Sequence, residues 1–320
     1  MPQLYPIVSA SCSDHRQWLS GYIDSVGSLV IPPKYAACNH FFEGKAAVMN
    51  PAGQSGFIDH LAQLVIPFQF KGLGRFHGGL CSINGGYIDP GGSWVIQPRF
   101  LVNSPFSEGL AFASTDGENF GFIDLAGKWV IHPQFTPCKQ FSEGLAAVNS
   151  EGNWGYIERD GTFAIPAVFE GRYATSFRDG LAGVQIDGQW GFIDCLGRFV
   201  IQPQYDEIRP FSEGTACVRK NGKWGRIDRD GRTILEARFN HLGNQNVGMA
   251  PAAIEDEAGF ISLDGNWTID PVFDRCHQFF GDLAVVQRGS RFSYIRRSGE
   301  IVWTSEEEAP IQYPPPPIFI

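Results

Sequence analysis

Residues 146–169 read Ala-Ala-Val-Asn-Ser-Glu-Gly-Asn-Trp-Gly-Tyr-Ile-Glu-Arg-Asp-Gly-Thr-Phe-Ala-Ile-Pro-Ala-Val-Phe. Ala146-Ala147-Val148 is one short apolar segment, closed by the polar turn Ser150-Glu151-Gly152-Asn153. Trp154-Gly155-Tyr156-Ile157 then alternates large and small residues, as a half-buried strand does, and Glu158-Arg159-Asp160-Gly161 is a second turn. Phe163-Ala164-Ile165 is a third strand, which Pro166 is expected to end by removing a backbone donor. Three short strands joined by two tight turns make an antiparallel meander.

The meander recurs along the chain. Gly-aromatic-Ile-Asp stands at Gly21, Gly56, Gly86, Gly121 and Gly191, with looser copies at Gly155, Gly225, Gly259 and Ser293, nine anchors about 34 residues apart. The second turn is usually Asp-x-x-Gly, as at Asp124 to Gly127 and Asp194 to Gly197, where Asp can cap turn amides and Gly supplies a positive φ. Val30-Ile31, Val65-Ile66, Val95-Ile96, Val130-Ile131 and Val200-Ile201 repeat the third strand, each with a proline just beyond. The connector is equally regular. An aromatic residue (Tyr35, Phe70, Phe100, Phe135, Phe169, Tyr205, Phe239, Phe273) precedes a second element, read as Phe42-Glu43-Gly44 and, in full form, Phe106-Ser107-Glu108-Gly109, Phe141 to Gly144, Phe177 to Gly180 and Phe211 to Gly214. Units this small cannot bury a core alone, so the two connector aromatics are expected to wedge neighbouring units together.

Trp154-Gly155, Gln189-Trp190-Gly191 and Lys223-Trp224-Gly225, followed by aromatic-Ile-Asp, Val-Ile-x-Pro and Phe-Ser-Glu-Gly-Leu-Ala-Ala-Val, resemble the WG-repeat family of bacterial proteins over residues 16 to 303. Only three units keep the Trp; Phe120, Ser55, Gly85 and Ala258 replace it elsewhere. The resemblance implies an all-β repeat array, commonly propeller-like, in a family whose members mostly have no assigned activity. The expected organisation is an array of nine units over residues 1–304, forming one cooperative body, and an acidic, proline-rich tail over 305–320. A propeller-like array is favoured over an open β-solenoid. A period of 34 residues is short for a four-stranded blade unless the connector adds a very brief fourth strand. Against closure, the first unit starts and the ninth ends in the same phase, so the two chain ends do not share a unit.

Composition narrows the function. The 25 Lys and Arg against 34 Asp and Glu give a net charge of −9, with no basic run to neutralise phosphates, so neither nucleic acid nor an anionic membrane is an expected partner. Seven cysteines without a CxxC pair suggest reduced thiols, and the absence of a signal peptide or a long apolar run suggests a cytoplasmic protein with no membrane span.

Each chemically suggestive group has a structural reading. Asp24, Asp59, Asp89, Asp124, Asp194 and Asp228 open four-residue turns and are read as backbone caps rather than a ring of metal ligands or catalytic acids. Glu43, Glu108, Glu143 and Glu213 recur too often for catalysis and are read as repeat-level structure. Cys38, Cys138 and Cys276 share one phase but come from distant units, so they are read as partly buried small hydrophobes. The seven histidines form no metal-binding spacing, and no nucleophile elbow, P-loop or dinucleotide fingerprint is present. No catalytic residue, cofactor or metal is therefore expected, and the binding residues stay unassigned. Two departures from the repeat stand out: Asn240 to Glu257, where Phe-x-acid-Gly is missing, and the tail with Glu306-Glu307-Glu308 and Pro314 to Pro317, read as capping the last unit or serving as a partner ligand. The chain is expected to be a monomeric, non-catalytic scaffold presenting loops to a protein or peptide. The alternative is a small-molecule binder or enzyme using a central channel.

Overall fold

A computed structural model describes residues 3–10, 18–246 and 248–305, and every regular element among them is a β-strand. The tail from Glu306 onward lies outside the described residues, so neither reading of it is addressed. The strands form nine antiparallel sheets, each built from consecutive strands, over residues 5–35, 37–71, 76–96, 102–135, 146–169, 182–205, 207–239, 241–273 and 275–304. Several sheets gain the brief fourth strand from the connector: Ala37–Cys38, Val102–Asn103, Glu207–Ile208, His241–Leu242 and Arg275–Cys276. By packing, the described residues fall into two compact units, the first drawn from within 1–98, 257–259 and 268–319, the second from within 99–256 and 260–267.

Within the second unit, the fifth sheet shows why the sequence folds this way. Ala146–Ser150 pairs with Asn153–Ile157, which pairs with Phe163–Phe169. Trp154 to Ile157 is buried throughout, on both faces, which corrects the expectation of a half-buried strand. The reason is that sheets pack on either side of it. Leu145, Trp154, Tyr156, Ile165 and Phe169 meet Phe177, Ala182, Val184 and Ile193 of the next repeat in one apolar cluster. Burying each large side chain in such a cluster contributes about 1.5–3 kcal/mol, and none of it is available to a sheet standing alone. The same arrangement joins the fourth and fifth sheets and the sixth and seventh.

Both connector aromatics act as wedges. The first packs edge-on against the residue opening the next unit's third strand: Phe135 on Phe163 at 6.1 Å, Phe169 on Phe199 at 6.3 Å, Phe239 on Trp267 at 6.3 Å. The second packs on the anchor aromatic, as Phe141 does on Phe122 at 4.9 Å and Phe177 on Tyr156 at 4.8 Å. In the first unit that partner of Tyr22 is Phe41, at 5.2 Å, and not Phe42. Two adjacent phenylalanines satisfy the motif, and the pairing of Phe42 with Lys45 in the turn turns its side chain elsewhere.

Although Trp94–Ile96 stops short of Pro98, in most sheets the third strand does not end at its proline. Leu29–Tyr35, Trp129–Phe135, Phe163–Phe169 and Phe199–Tyr205 all run through it, with a break in register opposite the anchor glycine. There the strand steps over the glycine: a β-carbon at Gly155 would lie 2.7 Å from the Ile165 carbonyl oxygen, and one at Gly191 2.6 Å from that of Ile201. The seventh sheet has no proline in this strand yet shows the same break at Gly225. The ninth has Ser293 in place of glycine, and there Ser293 pairs directly with Thr304 and Tyr294 with Trp303. The glycine, and not the proline, sets the bulge.

In the first unit the ninth sheet lies against the first. Tyr294 donates to the Pro6 carbonyl at 2.8 Å and stacks edge-on with Tyr5 at 5.7 Å, while the Asp282 amide donates to the Tyr5 hydroxyl at 2.9 Å. Gly27 abuts Val302, just as Gly92 abuts Ile66 between the second and third sheets and Gly299 approaches Ile269. Among the described residues the ninth sheet thus packs on the first without exchanging a strand.

Candidate functional site

The recurring carboxylates are committed to the backbone. In all six Asp turns the Oδ1 atom accepts the amides two and four residues on, from Val26 and Ser28 for Asp24 to Asp230 and Arg232 for Asp228, at 2.8–3.0 Å. The acid of Phe-x-acid-Gly reaches one repeat further. Glu43 accepts from Gly78 and Gly79, Glu108 from Gly144 at 3.1 Å, Glu143 from Gly180 at 2.9 Å and Asp179 from Gly214 at 2.8 Å. Ser107 and Ser142 add hydroxyl donations to the carbonyls of Phe141 and Phe177, each at 2.7 Å. The turns at Gly78, Gly144, Gly180 and Gly214 are therefore each clasped by the one before.

Cys38 and Cys138 are buried, and burial raises both thiols above their ordinary values, Cys38 to about 12. That makes them small apolar groups rather than nucleophiles. Burial holds the His40 imidazole down at about 4, against Phe280, and His60 stacks on Phe41 at 4.1 Å. Among the described residues no three His, Cys, Asp or Glu side chains come together as a metal-holding group. Among its described residues, the segment Asn240 to Glu257 keeps the repeat's pairings despite its sequence. His241–Leu242 pairs with Ala253 and Ala252, and Asn246 bridges Met249 as Ser212 bridges Thr215.

One feature of the second unit can receive a ligand. The Phe-x-acid-Gly turns preceding the sixth and seventh sheets and the Asp turns of those sheets lie at one end of the strands. Gly180, Leu181 and Gly214, with Asp194, Val200, Asp228, Arg229 and Asp230, line an open groove of about 590 Å³. Val200 is exposed on it. Its carboxylates are largely matched: Asp194 with Arg198 at 2.7 Å, and Asp230 with Arg232 at 2.5 Å. The Arg198 guanidinium holds the Asp194 carboxyl below the usual range. The groove thus combines an apolar floor, exposed backbone turns and paired charges, which suits an extended polypeptide better than a metal or a reacting substrate. None of these residues stands out in the sequence, because each belongs to the repeat.

Consecutive antiparallel meanders joined through their connectors define a β-propeller repeat protein. A crystal structure of a eukaryotic initiation factor has this fold, with a TM-score of 0.65 at 11% identity over 97% of each chain. The computationally designed Ika8 protein (14% identity, 84% of this chain and 95% of that one, TM-score 0.48) and BamB from Moraxella catarrhalis (12%, 81% and 93%, 0.43) are more distant in shape. The WG containing repeat matches residues 21–50, 56–84, 86–118, 120–154, 154–190, 190–224 and 259–292, and the chain belongs to the WG-repeat family. No curated protein matches it in sequence.

Proposed function

We propose that this protein is a non-catalytic binding scaffold, monomeric and cytoplasmic, that seats a peptide segment of a protein partner in the groove between the turns of the sixth and seventh sheets. A repeat propeller fold supports a binding role in general, and no helix among the described residues is long and apolar enough to cross a membrane. The observation that carries the specific reading is the groove itself, where exposed apolar surface at Val200 meets the Arg229 guanidinium and backbone turns held rigid by the Asp179 clasp. A rigid seat lowers the ordering cost of binding an extended segment.

The test is comparative capture of cellular proteins by three full-length baits: the natural chain, a Val200→Asp/Arg229→Glu variant, and a Gln189→Lys variant altered at the hairpin at the opposite end of the strands. A partner held by the first and third but lost by the second is the expected result. A partner held equally by all three, or none, removes the groove as the seat of recognition.

A further inference from the structure

The junction between the seventh and eighth sheets breaks the aromatic rule that closes its neighbours. Tyr22–Phe41, Phe57–Phe76, Phe122–Phe141, Tyr156–Phe177 and Phe192–Phe211 pair ring on ring at 4.8–5.2 Å. At the corresponding positions stand Arg226 and Gln245. Arg226 is 1% exposed, in a cluster of otherwise apolar repeat residues. Its Nη2 donates to the Gly243 carbonyl at 3.4 Å, as the Tyr22 hydroxyl donates to the carbonyl of Asn39, also seventeen residues on. Its Nε and Nη1 are buried with no acceptor.

A buried guanidinium without a counter-charge carries a desolvation cost that nothing around it recovers. Among the described residues no carboxylate pairs with Arg226. A second cation sharpens the anomaly. Arg209 lies over the Trp224 ring at 5.1 Å, contacts His241 Nε2 at 3.3 Å and also has a buried Nε without a partner. Arg226 stands directly across the ladder from Cys217. The Arg209 amide donates to the Cys217 carbonyl at 2.8 Å, so both arginines flank this residue; burial raises its thiol, while the two positive charges and a hydrogen bond from Arg226 pull the other way. The connector above, Asn244 to Asn246, is polar and partly exposed where the junctions at Phe76, Phe141, Phe177 and Phe211 have a buried phenylalanine. A trapped water would satisfy hydrogen bonds but neutralise no charge.

We propose that this junction binds a small oxyanion, a phosphate, a sulfate or a carboxylate, on the unspent N–H groups of Arg226, with Arg209 supplying the second positive charge. Guanidinium donors suit this chemistry, and a chain of net charge −9 otherwise places carboxylates, not paired cations, at its repeat positions. The site is separate from the groove, so either can fail without the other.

Thermal unfolding of the full chain in chloride, phosphate, sulfate and acetate at matched ionic strength tests it, alongside Arg226→Tyr, which restores the repeat's own residue, and Arg209→Gln. The natural chain should rise by about 2–4 °C at roughly tenfold excess of anion over its Kd. Arg226→Tyr should show no anion-specific rise and Arg209→Gln a weaker one. A response to acetate alone marks a carboxylate site, whereas one to phosphate or sulfate marks an inorganic oxyanion site. No rise in the natural chain, or the same rise in Arg226→Tyr, overturns the proposal. If Arg226→Tyr does not fold, an undiminished rise in Arg209→Gln overturns it as well.

Discussion

The junction between the fifth and sixth sheets and the junction between the seventh and eighth share a bridged turn and differ in chemistry. The first is closed by Tyr156 against Phe177, with the Tyr156 hydroxyl donating to Thr175 at 2.9 Å and Glu143 clasping Gly180. The second puts a buried guanidinium where the tyrosine stands and Gln245 where the phenylalanine stands. Both hold the same turn bridge, Arg178 to Leu181 and Asn246 to Met249, while the inner pairing is a single bridge, Glu170 to Gln185, in the first and the two-residue strand His241–Leu242 in the second. Aromatic wedges are thus one way of filling a space that the backbone and the anchor glycine define, and a unit can give the wedge up where something else fills the space.

That contrast can be broken at the regular junction. The largest effect is expected for Phe177→Ala, which empties a fully buried site between two sheets and should cost about 3–5 kcal/mol in urea unfolding. A cost under about 1 kcal/mol would mean that the ring pair is dispensable everywhere and that Arg226 replaces nothing. An intermediate effect is expected at the anchor glycine. Gly191→Ala presses a methyl against the Ile201 carbonyl and should destabilise by about 1–3 kcal/mol, whereas Ser293→Gly in the ninth sheet should cost less than about 1 kcal/mol. Equal costs at the two positions would put the bulge back in the hands of proline. The smallest effect is expected for Glu143→Ala. This exposed carboxylate holds one amide of the next turn, so its loss should register as about 0.5–1 kcal/mol and as faster amide exchange at Gly180. Unchanged exchange there would show that the turns stand without their clasps.

How much of this was legible in the sequence depends on how local the cause is. The six Asp turns were legible because cap and amide lie within four residues, and the wedging aromatics because small units leave no other use for them. The role of Gly155 was not, because its reason lies across the ladder at Ile165, and proline stood in the more conspicuous place. Trp154 to Ile157 looked half-buried because alternation of side-chain size says nothing of a second sheet on the far side. Phe41 and Phe42 could be told apart only by which ring meets Tyr22. Glu43, Glu108 and Glu143 were legible as structural but not as reaching the following repeat. The groove was invisible because it is made of repeat residues brought together by packing. Arg226 was visible as a departure in its anchor, while its missing counter-charge was not.

Among the described residues each sheet is made wholly of consecutive strands, and the ninth meets the first with no strand lent across. Evolution can therefore change the size of such a molecule in whole steps. A recombination event that duplicates or deletes about 34 residues in phase leaves no sheet missing a strand. A family built this way can vary its copy number between relatives while each copy drifts on its own, so that one member can turn a single junction to a private use.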